Sequence, residues 1–395
     1  MKEIVSGMAR FKALSALVVL LLSVSAVFAQ SPRTAEDFYN RGLQRQAGGD
    51  SDGALADYEE AIRRDPRMSD AYNNRANVRL QKGEDAAAFA DYAKVIELNP
   101  RDFTGYYNRG VAYLNLSKYD EAIADFDAAL RINPGLVVVY NNRANAKEAK
   151  GDLDGALADY DKALEINPAF ALALVNRGAL RHTRGEFDAA LTDLNRAVEA
   201  APQLAAAYTN RGAAHHSKGD HKTALADYTR AVELAPDDAD AYFNRGITYM
   251  TLGESDRALA DFDKAVALAP AESSHYTQRG MARASKKDSA GALADFDKAI
   301  GLNASDALAY VNRGLLRESK GERDAAIADY TAAIGADPRT ATAYANRGVL
   351  RLQKGQEKLA EQDFAQATQL DSSLKPMLEK YLREMKEHSA KARQK

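Results

Sequence analysis

Apolar and small residues return along this chain every 34 positions, with no insertion or deletion, from residue 35 to residue 374. Each unit can be numbered 1 to 34, starting at Ala35, Ser69, Phe103 and so on. Position 4 carries a large side chain: Phe38, Tyr72, Tyr106, Tyr140, Leu174, Tyr208, Tyr242, Tyr276, Tyr310 and Tyr344. Position 8 is Gly or Ala throughout. Position 20 is Ala in every unit, from Ala54 to Ala360; position 24 is Tyr, Phe or Leu194; position 27 is Ala except for Val95. Steps of three and four place each set on one face of a helix. Each unit therefore predicts two amphipathic helices. The small residues predict a close hairpin, with the ring at position 4 set against positions 8, 20 and 27.

The punctuation agrees. Gly at position 15 (Gly83, Gly151, Gly185, Gly253) supplies the left-handed residue that ends a helix. An acid at position 16, as in Asp152, Glu186 and Asp220, suits the positive N-terminus of the next helix. Pro at position 32, from Pro66 to Pro338, stops the second helix; Ala304 and Ser372 replace it in two units. One hairpin cannot bury both faces, so neighbours must stack, and positions 28 and 30 (Ile96 and Leu98, Val266 and Leu268) are available for that contact. After the array, Leu378, Leu382 and Met385 continue the stripe on a helix whose other faces carry Lys375, Glu379, Lys380, Arg383 and Lys386. Residues 375–395 thus read as a solvating cap with a basic tail.

A period of this length signals a stacked-repeat architecture, and the pattern resembles the tetratricopeptide repeat family. In the central unit Gly246, Ala258, Phe262, Ala265 and Pro270 hold the family's places at positions 8, 20, 24, 27 and 32. Departures are Tyr or Phe for tryptophan at position 4, Arg for leucine at position 7, and frequent basic residues at position 11 (Arg79, Lys147, Arg181, Arg283). The resemblance implies an all-α solenoid, a right-handed superhelix of ten hairpins over residues 35–374, with first helices lining the inner surface.

Two polar columns accompany the stripes. Position 6 is Asn40, Asn74, Asn108, Asn142, Asn176, Asn210, Asn244, Gln278, Asn312 and Asn346. At 100° per residue it falls opposite position 4, toward the expected inner groove. A carboxamide offers a donor and an acceptor, the complement of a peptide group. A similar asparagine ladder lies in the repeat region of the O-linked N-acetylglucosamine transferases, where it holds the backbone of an extended polypeptide; the catalytic domain of those enzymes is absent here. That resemblance implies peptide contacts at the nine asparagines. The alternative is that these asparagines bond to neighbouring helices as part of the repeat template. The second column pairs Arg at position 7 with Asp at position 23 in every unit, as in Arg245 and Asp261. Both flank the packed seam, so an ion pair within a repeat or across to the next is expected. Because each Arg comes with its own Asp, the column does not read as a stripe for nucleic-acid phosphates.

Beside the ladder, positions 5 and 9 vary: Tyr39, Asn73, Tyr107, Asn141, Val175 and Phe243 at the former, Leu43, Asn77, Asn145, Ile247 and Leu315 at the latter. This mostly apolar lining interrupted by amides suits an extended segment with apolar side chains. Positions 2, 5 and 6 carry no Lys or Arg, so the carboxylate clamp of repeats that hold acidic chaperone tails is missing.

Residues 1–29 change the compartment. Lys2, Arg10 and Lys12 precede an apolar run from Ala13 to Phe28, and Val27 and Ala29 suit a cleavage site after Ala29, with 30–34 as a short linker. An uncleaved anchor is the alternative. The chain has no cysteine, which removes disulfides, thiolate metal sites and cysteine catalysis, and a formal net charge of -3 offers no general attraction to nucleic acid or anionic membrane. Phosphate-loop, Gly-x-Ser-x-Gly and His-Glu-x-x-His motifs are missing. His182 and His216, at position 12 of adjacent units, with His215 alongside, lack a completing carboxylate or thiol, so no metal and no cofactor are expected. The expectation is an exported, bacterial, periplasmic or secreted scaffold without enzymatic activity, whose partner is a protein or extended peptide. The alternative is an assembly factor of an envelope, secretion or polysaccharide-export complex, acting through its outer surface or self-association.

Overall fold

The computed structural model describes residues 33–393, with side chains to Met385. The expected export segment lies outside the described residues. The chain forms two compact units, divided between Pro202 and Gln203. In the first, hairpins are built by α1 (Ala35–Ala47) with α2 (Ser51–Arg64), α3 (Ser69–Gln81) with α4 (Asp85–Leu98), and α5 (Phe103–Asn115) with α6 (Tyr119–Ile132). They are followed by α7 (Val137–Ala149) with α8 (Leu153–Ile166), and α9 (Ala171–Thr183) with α10 (Phe187–Ala200). The second unit has α11 (Ala205–Ser217) with α12 (His221–Leu234), α13 (Ala239–Thr251) with α14 (Ser255–Leu268), and α15 (Ser273–Ser285) with α16 (Ser289–Leu302). Then come α17 (Ala307–Ser319) with α18 (Arg323–Ala336), α19 (Ala341–Gln353) with α20 (Glu357–Leu370), a 3-10 turn at Ser372–Leu374, and α21 (Lys375–Arg393). Among the described residues there are no strands. Each unit is a solenoid of stacked hairpins.

Position 15 has positive φ in every hairpin. Eight are glycines, such as Gly83 at 77° and Gly151 at 86°; Ser117 at 59° and Lys287 at 65° adopt the same left-handed turn without that freedom. Position 16 is the N-cap of each second helix. Asp50, Asp152 and Asp288 accept a hydrogen bond from the backbone of Gly53, Gly155 and Gly291 three residues on.

The core corrects the expected packing. The ring seated on the position-8 glycine is the one at position 24, not position 4. A Cβ on Gly246 would lie 2.7 Å from Phe262 Cε1, and one on Gly42 would lie 2.7 Å from Tyr58 Cε1. Those position-24 rings are fully buried, and their other side meets position 10 of the next first helix, as Tyr58 meets Val78 and Phe262 meets Ala282. Position 3 completes that second contact: Ala71, Val139, Ala241 and Ala343 are all completely buried. Positions 3 and 10 are two turns apart and so share a face. A first helix therefore buries two faces, one toward its own partner and one toward the preceding hairpin. At Gly105 the approach is so close that a Cβ would lie 2.9 Å from Val95 and 3.0 Å from Ile96, the latter at position 28.

Position 30 does not serve the stacking as expected; Ile132, Ile166, Leu268 and Leu302 are 37–40% exposed. The position-4 rings are displaced as well. Most are half-buried, and in eight hairpins the position-7 guanidinium sits over the ring, at 5.3 Å for Arg41 on Phe38 and 5.4 Å for Arg75 on Tyr72. In the last hairpin Leu378 of α21 closes the core beside Phe364.

Candidate functional site

The Arg–Asp column is structural in all ten hairpins. Arg177 donates from Nε and Nη2 to both oxygens of Asp193 at 2.8 and 2.6 Å, and Arg245 grips Asp261 at 2.7 and 2.8 Å. Position 7 lies between the two buried faces of its helix, so the remaining nitrogen points at the preceding hairpin. There Arg143 reaches Asp127 at 2.5 Å, Arg279 reaches Asp263 at 2.9 Å and Arg313 reaches Asp297 at 2.6 Å. The aspartates are 1–6% exposed, and many take a second cation from position 11, as Asp193 does from Arg181 at 2.7 Å. These cations are spent on holding helices together.

The face on the other side of the first helices carries positions 2, 5, 6 and 9. The ladder carboxamides are half-buried there, apart from the exposed Asn40. Their chemistry differs between the two units, and the difference follows position 5 of the preceding hairpin. In the first unit that position alternates Tyr39, Asn73, Tyr107, Asn141, each an acceptor. Asn74 Nδ2 donates to the Tyr39 hydroxyl at 3.0 Å, Asn108 to Asn73 Oδ1 at 2.7 Å, Asn142 to the Tyr107 hydroxyl at 3.4 Å, and Asn176 to Asn141 Oδ1 at 3.0 Å. Asn73 and Asn141 return bonds to Asn74 and Asn142, at 3.4 and 3.3 Å. The amides of α3, α5, α7 and α9 are thereby committed to the neighbouring helix.

In the second unit position 5 is Thr209, Phe243, Thr277, Val311 and Ala345, and Thr277 turns its hydroxyl to Asp306 at 2.7 Å. Among the described residues of this unit no ladder amide bonds to position 5 of the preceding first helix. Asn210 and Asn312 donate to their own helix, at Ala206 O and Leu308 O, both 2.8 Å, and Asn346 lies within hydrogen-bonding reach of the Tyr330 hydroxyl. Asn244 makes no side-chain hydrogen bond among the described residues. On α17 the open amide is flanked one turn away on each side by Leu308 and Leu315, which are 37% and 43% exposed. The signal for this split, the residue type at position 5 one repeat earlier, lies in the sequence on a different helix from the amide that it controls.

Position 9 divides too. Asn77 and Asn145 face inward and accept the hydroxyls of the buried Tyr92 and Tyr160 at 2.5 and 2.6 Å, whereas Leu43 and Leu315 stand exposed. A tyrosine at position 24 needs such an acceptor. Gln46 serves Tyr58 at 2.6 Å and Glu318 serves Tyr330 at 2.8 Å, while the phenylalanines at this position face apolar residues. Glu148, which also accepts from Tyr160 at 2.9 Å, has its carboxyl pushed above the usual range by burial.

The histidines do not assemble a metal centre. His216 Nδ1 lies 3.0 Å from Thr248 Oγ1, its ring is 4.7 Å from that of His221, and no group of three suitable ligands occurs among the described residues. No helix among the described residues is long and apolar enough to cross a membrane.

Sequence profiles agree with this geometry. Profiles of the tetratricopeptide repeat match residues 104–136, 137–170 and 239–271, and a second such profile matches 39–102 and 311–374. A further TPR profile matches 180–219 and 214–253, so the matched stretches take in most of the chain. The chain belongs to the tetratricopeptide repeat family. Solved structures share the fold. The APC/C hetero-tetramer Cut9-Hcn1 matches 89% of this tetratricopeptide protein over 76% of its own chain, at 17% identity and a TM-score of 0.57. A tetratricopeptide repeat protein from Parabacteroides merdae matches 63% of it over 98% of its own length, at 21% identity and a TM-score of 0.53. No curated protein matches it significantly by sequence.

Proposed function

We propose that this tetratricopeptide protein is a non-enzymatic, exported scaffold that holds an extended polypeptide on the first-helix face of its second unit. The observation carrying this reading is the contrast between the two ladders. Carboxamides on α13 and α17 keep hydrogen-bonding capacity toward solvent, beside exposed Leu308 and Leu315 and the half-buried Phe243 and Ile247. An extended chain offers the matching groups: peptide N–H and C=O for the amides, alternate apolar side chains for the lining. Each amide contact adds about 1 kcal/mol net, so affinity requires several at once. In the first unit the same residues brace neighbouring helices, so there the ladder is read as support rather than as contact surface. The hairpin α15–α16 falls between profile matches but has the same lengths and the same Arg279–Asp295 pair, and is read as a full repeat, making ten. The N-terminal 29 residues support export.

The test is panning of a display library of unstructured peptides on the full chain. Enriched peptides should lose binding to the Asn244→Ala, Asn312→Ala double variant and to Leu308→Ser with Leu315→Ser. They should still bind Asn74→Ala with Asn108→Ala. Failure to enrich any peptide, or undiminished binding to both second-unit variants, removes this reading.

A further inference from the structure

Within each unit, position 3 is where a first helix is pressed against the preceding hairpin, and it is small or aliphatic at Ala71, Gly105, Val139, Ala173, Ala241, Ala309 and Ala343. The eighth hairpin departs from this rule with His275. Its ring is 2% exposed, and its Nδ1 is buried with no hydrogen-bond partner. From α13 it meets the ring of Phe243, centroid to centroid 4.7 Å. From the α14 side it faces the backbone of Ala265 and Ala269, which favours the protonated ring less than burial opposes it. A neutral imidazole fits this setting, because it needs only one donor contact. A protonated ring would bring a second N–H and a full charge into a joint that holds no acceptor for the one and no buried counter-charge for the other.

We propose that His275 is an acid-sensitive joint: taking up a proton on its buried ring loosens the packing of α15 against α13 and α14 and leaves the other joints of the unit closed.

The surrounding charges support this. Glu272, the exposed N-cap of α15, is the charged group that acts on the ring, and it favours protonation less than burial opposes it, so the imidazole is held below its ordinary value of 6.5. On the α13 side, Asp238 and Glu272 act on Asp240, and neither aspartate is among the charges acting on the ring. On α16, Asp295 is occupied by Arg279 and Arg283, and at the start of α17 Asp306 takes the hydroxyl of Thr277. With the folded value depressed, stability is intact above pH 6.5 and is lost as pH falls below it, since the opened state binds the proton first.

Hydrogen exchange of the full chain at several values between pH 7.5 and 5, corrected for intrinsic exchange, reads the joint directly. In peptides covering 262–285 of the unaltered protein, local opening should increase below pH 6.5 by up to about tenfold per pH unit. In His275→Ala, which restores the residue found at most other joints, and in His275→Phe, which keeps a ring, that rise should vanish, whatever offset either change causes at neutral pH. Peptides over α19 should not share it. A pH-independent signal in the unaltered protein, or the same rise in both variants, overturns the proposal.

Discussion

The guanidinium of Arg177 donates to both oxygens of the Asp193 carboxylate, at 2.8 and 2.6 Å, while its third nitrogen holds Asp161 on the preceding hairpin at 2.6 Å. With Asp193 at 1% exposure, removing one partner leaves a buried charge incompletely matched. Arg177→Ala should lower stability by about 3 kcal/mol in urea unfolding, whereas replacing both residues, as Arg177→Met with Asp193→Leu, should recover most of it. Asp161→Ala, at an exposed carboxylate, should cost less than about 1 kcal/mol.

Hairpins two and four pair Ala at position 8 with Asn at position 9, and their Tyr92 and Tyr160 hydroxyls turn to that Asn. In the ninth, the Tyr330 hydroxyl donates to Glu318, and a Cβ added at Gly314 would lie 2.7 Å from the ring. Gly314→Ala should cost roughly 1–3 kcal/mol through overpacking. Adding Leu315→Asn supplies the alternative acceptor, so the double variant should be more stable than the sum of single changes by about 1 kcal/mol, read from a double-mutant cycle.

The two ladders should respond differently to truncation. Asn108→Ala removes the bond to Asn73 and should lower the stability of the first unit by about 1 kcal/mol. Asn244→Ala removes no such bond and should leave thermal unfolding within about 0.5 kcal/mol of the parent. Equal losses at both sites would mean the ladder is one structural device throughout.

Ser117 and Lys287 hold a left-handed turn that eight glycines hold elsewhere. Ser117→Gly and Lys287→Gly should each raise stability by about 1 kcal/mol, measured by chemical denaturation, because the Cβ strain is relieved.

Burial, reinforced by Asp238 and Glu272, pushes the Asp240 carboxyl from 3.8 up to about 6. A raised carboxylate stabilises the fold below pH 3.8, and that contribution is lost as pH rises through about 6. Asp240→Asn should therefore raise the thermal midpoint at pH 7.5 and give no gain near pH 4. The sign is opposite to that expected of His275, so the two effects separate in a pH series.

The repeat, its helices, the left-handed position 15 and the Arg–Asp partnership were all legible in the sequence, because each rests on a residue type with one physical use. Which ring sits on which glycine was not. Positions 4 and 24 are both aromatic and both lie one turn from small residues, and a perfect repeat gives every column equal weight. The second buried face at positions 3 and 10 was hidden for a related reason: alanine at Ala71 or Ala112 is equally at home on a solvent face. The state of each ladder asparagine depended on a residue 35 positions away on the neighbouring helix, as Asn108 depends on Asn73, and no reading of one helix alone shows that.

Asp37 stands at position 3 of α1, where its carboxylate accepts from the backbone of Arg33 and Thr34. At the opposite end Leu382 fills the position-8 place of α21, against Phe364. A further hairpin set ahead of α1 would have to seat its second helix on a carboxylate, and one set after α20 would find a leucine where its ring needs a hollow. Such an array can grow only from within, by copying a hairpin between two existing ones, and its outermost members are the ones that duplication must leave alone.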